Sequence, residues 1–419
     1  MARQQLKVVY PTADGGSAQR FSCQDCPARC CKTLHFVLSP AEAERIARDP
    51  EAVRRLTGTA PQLLAGGHLP MRLRGTELSC VFLDDDDRCS LHKRHGPGFL
   101  PAACQAYPFS FARNEHNTPL VLLSRHCPSI NQNYGDPLQA TVEEKLKLLG
   151  PGPQLSERMG LRSGRALPKQ QYLRVVEAWR DELAQSANLA QSLARLFTLT
   201  EAVDQALPKS HHPSDRELEQ ALHLGQTSSP PALSPRRLPL GGRILLSHLL
   251  GAICYPLRLM QPTRVEPVSW TQRVGSLWLR LKWLLGMGRV QLLFIEQPVA
   301  LRQIQAVAPF LREPLARPLA EYLREVLARR QGMHKKTYLH RFVIELGLMT
   351  LVASRYARAR AASRAAALVD EHDVREGIGI AELLLTHQGE MGHSLVLDQL
   401  RLQLMSNPDD FIALLSAEI

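Results

Sequence analysis

Eight of the nine cysteines in this 419-residue chain lie within its first 127 residues: Cys23, Cys26, Cys30, Cys31, Cys80, Cys89, Cys104 and Cys127. A packed core of ordinary size does not need so many thiols in so short a stretch. The crowding calls for a metal cluster, a disulfide scaffold or a set of reactive thiols. Met1 to Gly16 mixes charge and polarity and lacks the apolar core of a secretory signal. A cytoplasmic setting is therefore the expectation, where thiols stay reduced and clustered cysteines mean metal binding or redox chemistry.

The thiols fall into blocks: Cys23-x2-Cys26-x3-Cys30-Cys31, Cys80-x8-Cys89, Cys104-x2-Tyr107-Pro108, and a closing Cys127-Pro128. A thiolate binds zinc at about 2.3 Å, so four must converge to close a tetrahedral site. Closely spaced pairs do this readily because a short loop adds little closure entropy. Neighbouring side chains diverge along a helix or strand, so one of Cys30 and Cys31 is expected to ligate while the other packs, bridges or stays reactive. Soft ligands narrow the metal to zinc or an iron–sulfur cluster, and thiolate count does not separate the two. Eight thiols fit two four-cysteine sites or one cluster with spare thiols. His35, His92, His95 and His126 read as surface or packing histidines before replacement ligands, and Cys254 as a buried small hydrophobe.

Hydrophobic residues make up 44% of the chain and aromatics only 5%. Abundant Leu, Ala and Arg then favour helices. The expected fold is mainly α, a small α+β cysteine-rich metal domain followed by a mostly helical region. Composition divides it into a cysteine-cluster domain over 1–135, a connector and helix over 136–208, a Pro/Ser-rich linker over 209–239 and a helical domain over 240–419. Ser39, Pro40 and Glu42 start a helix that runs through Ile46; Val81 to Leu83 reads as a short strand and Asp84 to Asp87 as a solvated turn. Further helices are expected over Gln170 to Leu207, around Leu315 to Leu327, over Phe342 to Val352, from Asp370 to about Thr386, and from Ser394 to Met405.

The net charge is +11, with the densest basic run at Arg355, Arg358, Arg360 and Arg364. That run reads as a solvated helix face, and a nucleic-acid partner has no support beyond basic charge. Leu238 to Met260 is the most apolar stretch, yet Pro239, Arg243, His248, Pro256 and Arg258 leave it short of a membrane span. No membrane partner is expected.

Phe21-Ser22-Cys23-x2-Cys26-x3-Cys30-Cys31, then Cys80-Val81-Phe82-Leu83-Asp84, Cys89-Ser90-Leu91 and Cys104-x2-Tyr107-Pro108, resemble the CxxCxxCC family of zinc- or iron-chelating domains. The resemblance covers roughly the first 130 residues. It implies that Cys127-Pro128 belongs to the set. The family includes flagellin lysine N-methylases, which implies methyl transfer from S-adenosylmethionine to a protein lysine, with flagellin as the kind of substrate. Gly286-Met287-Gly288 and Gly377-Ile378-Gly379 lack the third glycine of a nucleotide loop. Sequence therefore places neither a catalytic residue nor a site for that cofactor. The first reading is a cysteine-cluster metal-binding protein; the alternatives are a protein-lysine N-methylase and a redox or electron-transfer iron–sulfur protein.

Overall fold

A computed structural model describes residues 19–416, apart from 24–25, 75–76, 114–116, 155–157, 186, 207–212, 229–231, 234–237, 255–262, 313, 329–337 and 386–394. Nineteen α-helices and five two-stranded antiparallel ladders lie among the described residues. The fold is mainly α with a small strand-containing amino-terminal region, as composition leads one to expect.

The cysteine region runs β1 (Arg20–Phe21), α1 (Arg29–Thr33), α2 (Pro40–Ala47), α3 (Pro50–Arg55), α4 (Ala60–Ala65), β2 (Met71–Arg74) and β3 (Glu77–Cys80). It continues with α5 (Ser90–His95), α6 (Ala102–Ala106), β4 (Phe109–Arg113), β5 (Pro119–Leu123), α7 (Pro128–Gln132) and β6 (Asp136–Pro137), which pairs with β1. The start of α2 follows the expected chemistry: Ser39 N–H donates to Glu42 Oε2 at 2.7 Å and Glu42 N–H to Ser39 Oγ at 3.3 Å. Val81 to Leu83 is not the expected strand. β3 ends at Cys80; Val81 N–H closes the ladder on the Pro70 carbonyl at 3.1 Å, and the chain turns at Val81 and Phe82.

Beyond it come α8 (Leu138–Leu149), the hairpin of β7 (Arg158–Gly160) and β8 (Ala166–Pro168), α9 (Lys169–Ala184), α10 (Leu189–Ala206), α11 (Asp215–Thr227), α12 (Leu240–Gly251) and α13 (Trp270–Leu285). The chain closes with β9 (Arg289–Val290), β10 (Val299–Ala300), α14 (Leu301–Ala306), α15 (Arg317–Ala328), α16 (Leu339–Ser363), α17 (Glu371–Leu385), α18 (Leu395–Ser406) and α19 (Pro408–Ser416). The single helix expected over Gln170 to Leu207 is two, because Asn188 Oδ1 accepts from Ala190 and Gln191 N–H and starts a new one. The stretch read as connector holds α8 and a hairpin. The stretch read as linker holds α11, opened by a Ser214–Glu217 capping box and buried through Leu218 and Ala221; parts of it lie outside the described residues.

Tyr172, Trp179, Phe342, Tyr356 and Phe411 anchor one large helical core. A smaller core of Ile46, Leu64, Met71, Phe82 and Leu91 lies beneath the cysteines, and Phe109, Val121, Ile130 and Val142 form a third. The arginine run on α16 is not the expected solvated face. Arg358 is buried, donating to the carbonyls of Val307 at 3.1 Å and Gln305 at 2.9 Å. Arg360 and Arg364 turn to Asp373 of α17, at 3.3 and 2.6 Å. Charge in a helical pattern does not reveal carboxylates waiting on the next helix. No helix among the described residues is long and apolar enough to cross a membrane.

Candidate metal centre

Seven cysteines line one cavity of about 340 Å³. Cys23 and Cys26 precede α1, Cys30 and Cys31 lie in it, Cys80 ends β3, Cys89 caps α5 and Cys104 sits in α6. Apolar side chains such as Leu34, Phe36, Phe82 and Leu91 complete the wall. Cys127, the N-cap of α7, is buried beside Tyr107 and is not among the lining residues.

Local structure explains how distant sulfurs meet. Leu83 bridges to Cys89, and Ser90 N–H donates to the Phe82 carbonyl at 2.8 Å, so the chain folds back between Cys80 and Cys89. The acidic turn that makes this reversal is a clamp. Asp84 pairs with Lys93 of α5 at 2.7 Å and Arg55 of α3 at 2.8 Å, Asp85 with Arg74 of β2 at 3.0 Å, and Asp87 with Lys32 of α1 at 2.8 Å. Each exposed pair contributes little alone, but together they tie α1, α3, α5 and β2 around the cavity. Glu42 does the same for α6: its Oε1 accepts from Ala102 N–H at 2.6 Å, two residues before Cys104.

Adjacent cysteines are expected to diverge, and here they do not. The sulfurs of Cys30 and Cys31 stand 3.9 Å apart. α1 is hardly more than one turn long, and its side chains lean toward its amino-terminal end and into the cavity. A tetrahedral ion with sulfurs at about 2.3 Å holds neighbouring sulfurs about 3.8 Å apart, so this pair already matches one edge of such a site. Among the described residues no group of three or more Cys, His, Asp or Glu side chains is drawn up tightly enough to hold a metal ion. The thiols ring a space; they do not clasp a point.

Electrostatics separates ligands from nucleophiles. Desolvation by the surrounding chain, then the neighbouring Cys30 and Cys26, pushes the Cys23 thiol up, although the residue itself stays exposed. At Cys31 the Cys30 hydrogen bond pulls down, but burial and the sulfurs of Cys80, Cys104 and Cys89 bring it up to about 11. Cys30 is driven up by its bond to Cys31 and by burial, and Cys80 and Cys104 chiefly by burial. Thiols raised in this way are poor nucleophiles at neutral pH. A soft divalent cation bound among them would favour the thiolates as it displaced their protons. Some preparation is built in: the amides of Leu91 and His92 face the Cys89 sulfur, and those of Ala28 and Arg29 face Cys26, both lowering the cost of the thiolate. The donor set fits zinc or iron.

The histidines divide. His126 is fully buried, its ring held between Thr33 Oγ1 at 2.7 Å and the Gly379 carbonyl at 3.2 Å. His95 pairs with Asp49 at 2.7 Å and His35 with Thr263, while His92 lines the cavity. Cys254 is buried in the helical core and is not among the residues that line the cavity.

Residues 22–128 match the family model CxxCxxCC, described as a putative zinc- or iron-chelating domain. These residues form a CxxCxxCC domain. Neither a curated protein nor a solved structure matches the chain.

The CxxCxxCC domain meets the helical region along a buried seam that sequence did not reveal. Arg29, just before Cys30, pairs with Glu376 of α17 and lies 4.7 Å over the Phe294 ring. Gln132 donates to the same carboxylate at 3.1 Å, and Asn131 Nδ2 to the Arg375 carbonyl at 2.7 Å. Arg125 pairs with Glu325 of α15 at 2.6 Å, and its N–H donates to Glu382 at 2.6 Å. Of the glycines in Gly377-Ile378-Gly379, Gly379 packs on this seam and Gly377 on the neighbouring α16. A Cβ at 377 would stand 2.3 Å from the Ala353 carbonyl oxygen of α16, and one at 379 would stand 2.9 Å from that of Arg125. Gly286, with φ +68°, terminates α13 in the left-handed region.

Proposed function

We propose that this chain is a metal-binding protein whose CxxCxxCC domain holds a thiolate-ligated zinc or iron centre in the cysteine-lined cavity. One observation carries the reading: seven cysteines, drawn from separate stretches of chain, face one space. Cys23, Cys26, Cys30, Cys31, Cys80, Cys89 and Cys104 would hold the metal, with Cys127 an eighth donor behind Cys26 and Cys30, to which it is electrostatically coupled.

The size of the space favours a polynuclear centre. One water-sized sphere needs roughly 10–15 Å³, and a lone ion less, against the 340 Å³ present. Seven thiols also exceed the four that close a single tetrahedral ion. An iron–sulfur cluster or a pair of ions answers both numbers. Bound there, the centre supplies cross-links between chain segments and, as an iron–sulfur cluster, a reducible group.

Elemental analysis and a visible spectrum of anaerobically purified full-length protein test this. Stoichiometric iron with a brown, dithionite-bleached band supports the cluster, and colourless protein with zinc supports the ions. Protein that carries neither metal and takes up neither from solution sinks the reading.

A further inference from the structure

α13 wears its apolar face outward. Trp270, Val274, Leu277, Trp278, Leu281 and Leu285 recur at the spacing of one helical face, and all six are exposed, Trp270 by 75% and Leu277 by 61%. The face it turns inward holds the buried Ser276 and Leu279. Sixteen residues make a stripe of about 24 Å. Leu240 and Ile244 extend it from α12, which packs alongside, and Met287 from the turn that follows. An exposed apolar surface of this extent marks a contact site.

Charge says what covers it. Neither α12 nor α13 carries an acidic residue, while Arg243, Arg273, Arg280 and Lys282 are cationic. Arg273 is exposed beside the stripe, and Lys282 and Arg243 donate to neutral acceptors, the carbonyls of Arg289 and Leu284. A second copy docked on this face by a two-fold axis would set one cationic helix pair against another, with no acid on either pair to offset it. A hydrophobic ridge with two exposed tryptophans on helices that carry cations and no acids suits the interface of an anionic bilayer, where tryptophan rings sit at headgroup level and cations meet lipid phosphates.

We propose that α13, with the start of α12, is a surface-binding helix pair that lays this chain on an anionic lipid membrane without crossing it. The earlier expectation of no membrane partner came from the absence of a span, and a span is not what this face requires. The inference is independent of the metal in the CxxCxxCC domain.

Full-length protein is floated with vesicles of phosphatidylcholine alone or with about a third phosphatidylserine, at low and high salt. Binding to the anionic vesicles, weakened by salt, with a blue shift of tryptophan emission, is expected. Arg273→Glu should weaken it at least roughly fivefold, and Trp278→Ser with Leu281→Ser about tenfold or more. Flotation with neither vesicle overturns the proposal, as does equal flotation with both. So does a double variant that binds like wild type, or a lipid-free dimer that the same variant dissolves, which would give the face to a second copy. Circular dichroism checks the fold, and the single exposed change at Arg273 decides the matter where the double variant fails to fold.

Discussion

The Arg29 guanidinium closes on the Glu376 carboxylate across the boundary between the cysteine region and α17, and both side chains are buried. This contact joins the residue preceding the paired cysteines to the helical core, so the wall of the cysteine-lined cavity is tied to the helices by an ion pair. Arg360 stands 3.8 Å from the same carboxylate.

Breaking that pair from one side should be costly. Glu376→Ala leaves Arg29 buried without its partner and is expected to destabilise the fold by about 3–5 kcal/mol. Arg29→Met combined with Glu376→Leu should cost less than the two single changes added together. Urea denaturation of the set measures the coupling; strict additivity would show that the pair is not an energetic unit.

The same carboxylate predicts an acid limb. Burial pushes Glu376 up, but Arg29, Arg360 and Gln132 together outweigh it and hold the carboxyl below the usual carboxylate range. A depressed folded value means that the stabilisation is complete above the unfolded value of about 4.3 and disappears as pH falls through the folded one. Wild type should lose denaturation midpoint more steeply than Glu376→Gln as pH falls below about 5. Parallel curves would remove Glu376 from the account.

Metal content should follow the cavity wall. Cys30→Ser, Cys80→Ser or Cys104→Ser is expected to lose most of the bound metal, and Cys254→Ala to keep it, since Cys254 packs in the helical core. Cys127→Ser should fall between, because its sulfur is coupled to Cys26 and Cys30 from outside the wall. Inductively coupled plasma analysis after gel filtration reads each case. Full retention in all the cavity variants would contradict the proposed site.

Glu42 offers a test of how α6 is held. Glu42→Ala removes the reciprocal half of the Ser39 capping box and the acceptor for Ala102 N–H, and should cost about 1 kcal/mol. Metal should then dissociate faster to a competing chelator, because Cys104 rides on that helix. A variant that is destabilised but unchanged in chelator kinetics would confine Glu42 to capping.

Two glycines should respond in opposite ways. Gly377→Ala forces α17 off α16 at the Ala353 carbonyl and is expected to cost about 1–3 kcal/mol. Gly275, in α13, has nothing within 4 Å of an added Cβ, so Gly275→Ala should be neutral or stabilising by up to about 1 kcal/mol. Thermal melts of the pair check both signs.

Local rules made several parts of this chain legible without coordinates. A capping box fixes the start of α2 because its two hydrogen bonds join residues three apart, and the apolar period of Leu319 to Leu327 fixes the buried face of α15. Cysteine density announced a metal-binding region because sulfur ligands must be supplied by the sequence itself. Other features depend on partners that no local pattern contains. Arg358, Arg360 and Arg364 looked like a solvated face until Asp373 and the carbonyls of Gln305 and Val307 closed on them. The Cys30–Cys31 pair looked divergent until α1 aimed both sulfurs into one cavity. Sequence determines which groups are present and how neighbours along the chain behave. Which distant charges and thiols meet is settled only when the helices pack, because buried charge is stable only beside a counter-charge that packing must bring to it.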